Sequence, residues 1–176
     1  MDRSSKTTKL ITIAFFIAIE IVLTRYLSIN TAFLRIGFGF LPVAMLGIMY
    51  GPLWAGAAYA IGDVLGMLIF PTGGGYFPGF TLTAFLTGAV FGLVLHKRQI
   101  TYKRTLLASM IVVLCLNLCL DTFWLTILMG QGYLAMLPMR LVKCVFSIPV
   151  QTILIPLIWN QVFKKAIQNT QKADLM

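Results

Sequence analysis

The sequence divides into six long apolar runs, each closed by a Gly/Pro turn or a basic cluster, and this segmentation limits the fold more than any other feature. The runs are 10–27, 36–49, 53–70, 80–95, 106–129 and 139–163. A helix needs about 20 residues to cross the hydrocarbon of a bilayer. Runs that are apolar on every side have no face to offer water, so they predict spans rather than amphipathic surface helices. Composition agrees: 59% of the residues are hydrophobic and 11% charged, where a soluble domain carries roughly 25% charge. The expected fold is an all-α membrane protein, with six transmembrane helices in one compact bundle and a single domain over residues 1–176.

The breaks between the runs have physical causes. Tyr50-Gly51-Pro52 is a tight turn, because proline ends a helix and glycine accepts dihedrals that other residues avoid. Residues 71–79, with two prolines and four glycines, read as a loop. Gly130-Gln131-Gly132 is a further turn. The N-terminal run follows Arg3, Lys6 and Lys9 but is long, contains Glu20 and lacks a small-residue cleavage site, so it reads as a first span and not as a cleaved signal.

Six spans put both termini on one side, and the basic residues identify it. Of 14 Lys and Arg residues, ten (Arg3, Lys6, Lys9, Lys97, Arg98, Lys103, Arg104, Lys164, Lys165 and Lys172) fall on the side of the termini. Arg25, Arg35, Arg140 and Lys143 lie toward the other. By the positive-inside rule the termini are expected in the cytoplasm and the Gly/Pro loop outside. The net charge of +9 is therefore a topological signal, not a nucleic-acid footprint. Cys115, Cys119 and Cys144 all lie inside apolar runs without a CxxC, and one histidine serves the whole chain, so neither a disulfide framework nor a metal site is expected.

Ionisable residues within a span cost about 2.5–3.5 kcal/mol on the insertion scale if they face lipid, so Glu20, Asp63 and Asp121 are expected to face the bundle interior, as structural carboxylates or as part of a site. At roughly 100° per residue, Asn117, Asp121 and Trp124 form one stripe of the fifth helix, with Cys115 and Cys119 pointing elsewhere. Arg140, Lys143, Ser147 and Gln151 form a stripe of the sixth. Two such stripes on neighbouring helices describe a wet cavity. Arg140 and Lys143 could be snorkelling residues at an interface, or a pair suited to an anionic group such as a carboxylate. Asp63 sits among Gly56, Gly62 and Gly66, which permit close helix approach, and reads more readily as structural. In the first helix Ala14 and Ala18 share a face and Glu20 turns away from it. No Ser/His/Asp or metal constellation is visible, the glycine-rich loop lacks the Lys-Ser/Thr of a phosphate-binding loop, and no catalytic residues are expected. Without a nucleotide motif the chain is passive or depends on partners for energy.

The stretch Arg35-Ile36-Gly37-Phe38-Gly39-Phe40-Leu41-Pro42, the Tyr50-Gly51-Pro52 turn, the Gly62-Asp63-Val64-Leu65-Gly66 helix, and Phe70-Pro71-Thr72-Gly73 followed by Tyr76-Phe77-Pro78-Gly79-Phe80-Thr81-Leu82 resemble the substrate-binding S components of energy-coupling factor (ECF) vitamin transporters. Trp124-Leu125 and Leu137-Pro138-Met139-Arg140-Leu141-Val142-Lys143 are most similar to the folate-specific branch. The resemblance implies folate as the ligand, no cofactor, a multi-pass location in the plasma membrane of a prokaryote, and partnership with a transmembrane coupling protein and two ATPases. It implies that Ala14 and Ala18 contact the coupling protein. For a folate, Trp124 and Asp121 suit the flat pterin and its donor edge, and Arg140 and Lys143 the glutamate carboxylates. Asn117 stands next to them, Phe77 and Phe80 belong to a lid, and Arg25 and Arg35 are alternative anion partners. An S component for another vitamin, such as thiamine or riboflavin or a precursor, and a membrane protein outside transport are the alternatives.

Overall fold

The computed structural model describes residues 3–30, 35–70, 76–130 and 133–163. The centre of the Gly/Pro loop (71–75), Gln131, Gly132, Lys164, Lys165 and Lys172 lie outside the described residues. Helix α1 (Arg3–Arg25) leads into a small antiparallel hairpin of β1 (Ser28–Asn30) and β2 (Arg35–Gly37), with Ile29 opposite Ile36. Then come α2 (Phe40–Tyr50), α3 (Pro52–Ile69) and α4 (Pro78–Leu95). Next, α5 (Tyr102–Met110), a π-helical stretch (Ile111–Leu120) and α6 (Asp121–Met129) run on as one continuous rod. A final rod consists of α7 (Tyr133–Ile158) and a π-helical end (Trp159–Phe163).

The described residues thus form six helical rods, as the six apolar runs predict. Five are long and apolar enough to cross a membrane: Lys6–Arg25, Pro52–Ile69, Pro78–Leu95, Tyr102–Leu128 and Arg140–Gln161. The second rod is shorter. The run expected as helix from residue 36 starts only at Phe40, because residues 35–37 are extended and paired to β1. Gly37 permits that pairing, since a Cβ there would lie 2.7 Å from Cβ of Ser28.

An 11-residue helix is about 16 Å long, roughly half the hydrocarbon thickness. It is apolar on all sides because it has neighbours on all sides: Pro42 through Ile48 are buried without interruption. Around α2 the core gathers Ile13 and Phe16 of α1, Phe91 and Leu95 of α4, Val112 and Leu116 of the π-helical stretch, and Ile155 of α7.

The tightest packing joins α3 to α4, and glycine makes it possible. A Cβ on Gly88 would lie 2.5 Å from the carbonyl oxygen of Ala55, one on Gly56 would lie 2.8 Å from that of Phe85, and one on Gly92 would collide with Pro52. Small residues at a helix crossing let backbones approach closely enough for dispersion to hold them where no hydrophobic force acts between helices in lipid. The turn feeding this pair works as its sequence predicts. Gly51 takes a φ of +88° and Pro52 opens α3. His96 closes α4 with Nδ1 2.9 Å from the carbonyl oxygen of Ile48.

α7 carries Pro138, Pro149 and Pro156 within its helical run, so the last rod begins well before residue 139. Proline survives inside membrane helices because neighbouring helices and Ser/Thr hydroxyls can satisfy the carbonyls it frees. Cys115 and Cys119 face outward and Cys144 is buried, its Sγ 3.8 Å from the carbonyl oxygen of Val113, and all three are free thiols.

The glycine contacts make a prediction. Gly88→Ala pushes a methyl into the main chain of Ala55 and should lower stability in detergent by about 1–3 kcal/mol, the usual cost of overpacking. Leu93→Ala on the same helix, where Leu93 points outward, should change thermal unfolding little. Equal behaviour of the two variants would contradict the crossing.

Candidate ligand-binding site

The start of α4 is the floor on which the site is built. Pro78 sits at its first turn, where a missing N–H costs nothing, and Phe77 enters in an extended conformation. Gly79 follows, and a Cβ there would lie 2.5 Å from Cδ2 of Trp124 and 2.6 Å from Cε1 of Phe77. The glycine is therefore the space in which the indole of α6 lies against α4. Around it the rings cluster: Phe77 is 5.6 Å and Phe123 5.1 Å from Trp124 by centroids, and Phe77 is 6.0 Å from Phe80 in an edge-on arrangement.

A polar line runs beside these rings. Nε1 of Trp124 donates to Oγ1 of Thr83 at 3.3 Å. The Thr83 hydroxyl has one proton and two acceptors in reach, the carbonyl oxygen of Gly79 at 3.1 Å and the Asp121 carboxylate. Asp121 is half-buried and lies in the field of two cations, Lys143 the more strongly and Arg140 next. A second carboxylate, Asp63 of α3, also bears on it. Asp63 accepts a hydrogen bond from Oγ1 of Thr81 at 2.9 Å, and Thr81 is 3.3 Å from the hydroxyl of Tyr76, so α3, the start of α4 and the residues before it are tied together.

Arg140 is 8% exposed. Its Nη1 donates to the main-chain carbonyl of Asn117 at 2.9 Å and to Oγ1 of Thr122 at 3.3 Å. The stripe expected on the last rod is real: Arg140 and Gln151 are buried and Lys143 and Ser147 half-buried, while Leu141, Val142, Val145 and Phe146 face outward. The site thus has an aromatic wall (Phe77, Phe80, Trp124), two carboxylates (Asp63 and Asp121) and two cations (Arg140 and Lys143). Such a surface can stack a flat ring, accept from its donors and neutralise an anionic tail.

Of the residues expected from the sequence, Trp124, Asp121, Arg140, Lys143, Phe77 and Phe80 come together. Asn117 joins them through its main chain. Arg25 lies with its guanidinium over Gly66, with Nη1 3.4 Å from Sδ of Met67 and 3.4 Å from the carbonyl oxygen of Phe70, where it closes the C-terminal end of α3. The main chain of Arg35 pairs with Asn30, and its side chain lies outside the described part. Thr122 and Asp63 are additions. Thr122 follows Asp121 by about 100° around the helix, off the stripe, so nothing in the periodicity marked it.

Ala14 and Ala18 both face outward from α1, together with Ile11, Phe15 and Val22, and Glu20 is 3% exposed on the opposite side. Oε1 of Glu20 accepts from Thr24 at 2.7 Å, and its other oxygen lies against Gly62. The two faces inferred from the helical period are the two faces present.

Residues 8–159 match the family described as ECF transporter, substrate-specific component. The chain belongs to this family. The match makes it a transport subunit of the multi-pass membrane type, not an enzyme. Among relatives, the folate transporter FolT of Clostridium novyi (strain NT) is 46% identical over 164 residues, 93% of this chain and 95% of that one. The folate transporter FolT of Leuconostoc mesenteroides is 31% identical over 151 residues, 82% and 80% of the two chains. In three dimensions this S component matches a crystal structure of FolT bound with folic acid, with a TM-score of 0.84 and 38% identity over 88% of this chain and 94% of that one.

The aromatic wall makes a prediction of its own. In a Trp54→Phe/Trp159→Phe background Trp124 is the sole indole, and Gly79→Val should shift its emission to the red, because the side chain takes the space the indole fills. An unchanged spectrum would contradict the packing of Trp124 on α4.

Proposed function

We propose that this S component captures folate from outside the cell and delivers it through an ATP-driven complex with a transmembrane coupling protein and two ATPase subunits, in the plasma membrane of a prokaryote. The observation that carries the reading is the likeness to FolT bound with folic acid, in sequence as well as in fold. The chemistry of the site supports it independently. Folate has a flat pterin with a donor edge at one end and two carboxylates at the other. Trp124 and the phenylalanines Phe77 and Phe80 take the ring, Asp121 accepts from its donors, and Lys143 with Arg140 meets the carboxylates, with Asn117 beside them.

The outward face of α1 takes the coupling protein. Ala14 and Ala18 keep bulk away from that face, which lets a partner helix come close. The termini lie in the cytoplasm, since ten of the 14 basic residues fall on their side, and the ligand enters from the opposite side, toward which Arg140 and Lys143 lie in the first half of the last rod.

Calorimetric titration of the purified chain tests the ligand. Folate should bind and thiamine and riboflavin should not. Lys143→Ala should weaken folate by about 1.5–3 kcal/mol, the scale of a lost charge-assisted hydrogen bond, and weaken pteroate, which keeps one carboxylate and lacks the glutamate, by less. Asp121→Asn should weaken both, since the amide turns a donor toward the ring's donors. Ala14→Leu and Ala18→Leu should bind folate normally and lose ATP-dependent uptake in the full complex. A chain that binds riboflavin in place of folate would overturn the reading.

Impermeant thiol labelling tests the orientation. In a cysteine-free background Gly74→Cys should react from outside and Gln99→Cys should not, and the reverse pattern would place the ligand site on the wrong side.

A further inference from the structure

The rod that carries Asn117, Asp121 and Trp124 changes its hydrogen-bond spacing in the middle of the site. At the end of the π-helical stretch the N–H of Asp121 donates five residues back, to the carbonyl of Leu116. By Gly130 the spacing is four, with its N–H on the carbonyl of Thr126. A helix that passes from a spacing of five to a spacing of four skips one carbonyl, which then has no N–H of its own rod. In the membrane an orphan carbonyl costs free energy comparable to a lost hydrogen bond, so a donor must come from elsewhere.

The donors come from two side chains at this junction. Arg140 reaches the carbonyl of Asn117, on the π-helical side, and the hydroxyl of Thr122, on the α-helical side. Thr122 in turn donates to the carbonyl of Leu118. One guanidinium on α7 thus holds both sides of the place where the helix changes register, and Asp121 lies between its two attachment points.

We propose that Arg140 is a positioning residue for the ring end of the site, in addition to supplying positive charge to the carboxylate end. Without it the junction is free to move along the rod. Each residue the junction passes changes from one spacing to the other, so a junction that moves past Asp121 and Trp124 re-aims both side chains. Asp121 and Trp124 would then leave Thr83 and Gly79, and the ring would lose its acceptor and its stacking face together. The charge of Lys143 cannot replace this function, because what is required is a donor at the Asn117 carbonyl and not only a positive charge nearby.

This rests on the folate reading, and pteroate separates the two. Titration of folate and pteroate into the wild-type chain comes first: if neither binds, the folate reading fails by itself. If both bind, Arg140→Ala should weaken pteroate by about tenfold or more, while Leu141→Ala, at a position that faces outward on the same helix, leaves it within about twofold. Arg140→Lys, which keeps a donor for the carbonyl, should recover most of the pteroate affinity. In the single-indole background, saturating pteroate should quench Trp124 less in Arg140→Ala than in the parent. Should Arg140→Ala not fold, Thr122→Val carries the test, with weakened pteroate binding expected. Pteroate binding unchanged in Arg140→Ala or, failing that variant, in Thr122→Val would overturn the proposal, as would Arg140→Lys being as weak as Arg140→Ala.

Discussion

A guanidinium inside a helix bundle has to be solvated by something other than water, and in this chain it is solvated by the backbone of a neighbouring rod. Arg140 donates to the Asn117 carbonyl and to Thr122 across the interface between α7 and the rod of α5 and α6. The cost of a charge in lipid, about 2.5–3.5 kcal/mol by insertion, is avoided by turning it inward, and the need of a junction for a hydrogen-bond donor is met by the same group. The polar line from Lys143 through Asp121 and Thr83 to Trp124 depends on that contact, because it sets which way the upper half of the rod faces.

The rest of the bundle gives this arrangement something rigid to lean on. α3 and α4 lock through Gly56, Gly88 and Gly92, and α2 fills the space beneath them with side chains buried on every face. The start of α4 is then fixed, and so are Gly79 and Thr83, the two points against which Trp124 and Asp121 are set. Arg25 and Glu20 stabilise the other side, one at the end of α3 and the other against Gly62, and leave Ala14 and Ala18 on the open face of α1.

Much of this was legible in the chain. Long apolar runs have few conformations open to them in a membrane, so the six rods follow from hydropathy. The helical period alone put Arg140 and Gln151 inward, Cys115 and Cys119 off the stripe of Asn117, Asp121 and Trp124, and Ala14 and Ala18 opposite Glu20. Three things were not legible. The hairpin of residues 28–30 and 35–37 takes up Ile36, which hydropathy assigns to a helix, because strand pairing there depends on two segments meeting and not on either alone. The π-helical stretch leaves no mark in residue types, since Ile, Val, Leu and Cys suit either spacing. The use of Arg25 at the end of α3 depends on where Met67 and Phe70 fall, which no local pattern states.

The proposed site holds a folate with its ring on Trp124 and its carboxylates toward Lys143. A structure of this chain with folate bound measures that directly. The pterin should be stacked on Trp124 with its donor edge within hydrogen-bonding distance of the Asp121 carboxylate, Arg140 should remain on the Asn117 carbonyl, and the glutamate should point toward Lys143. A ligand bound the other way round, with the glutamate against Trp124 and the pterin at Lys143, or a folate seated away from both, would contradict it.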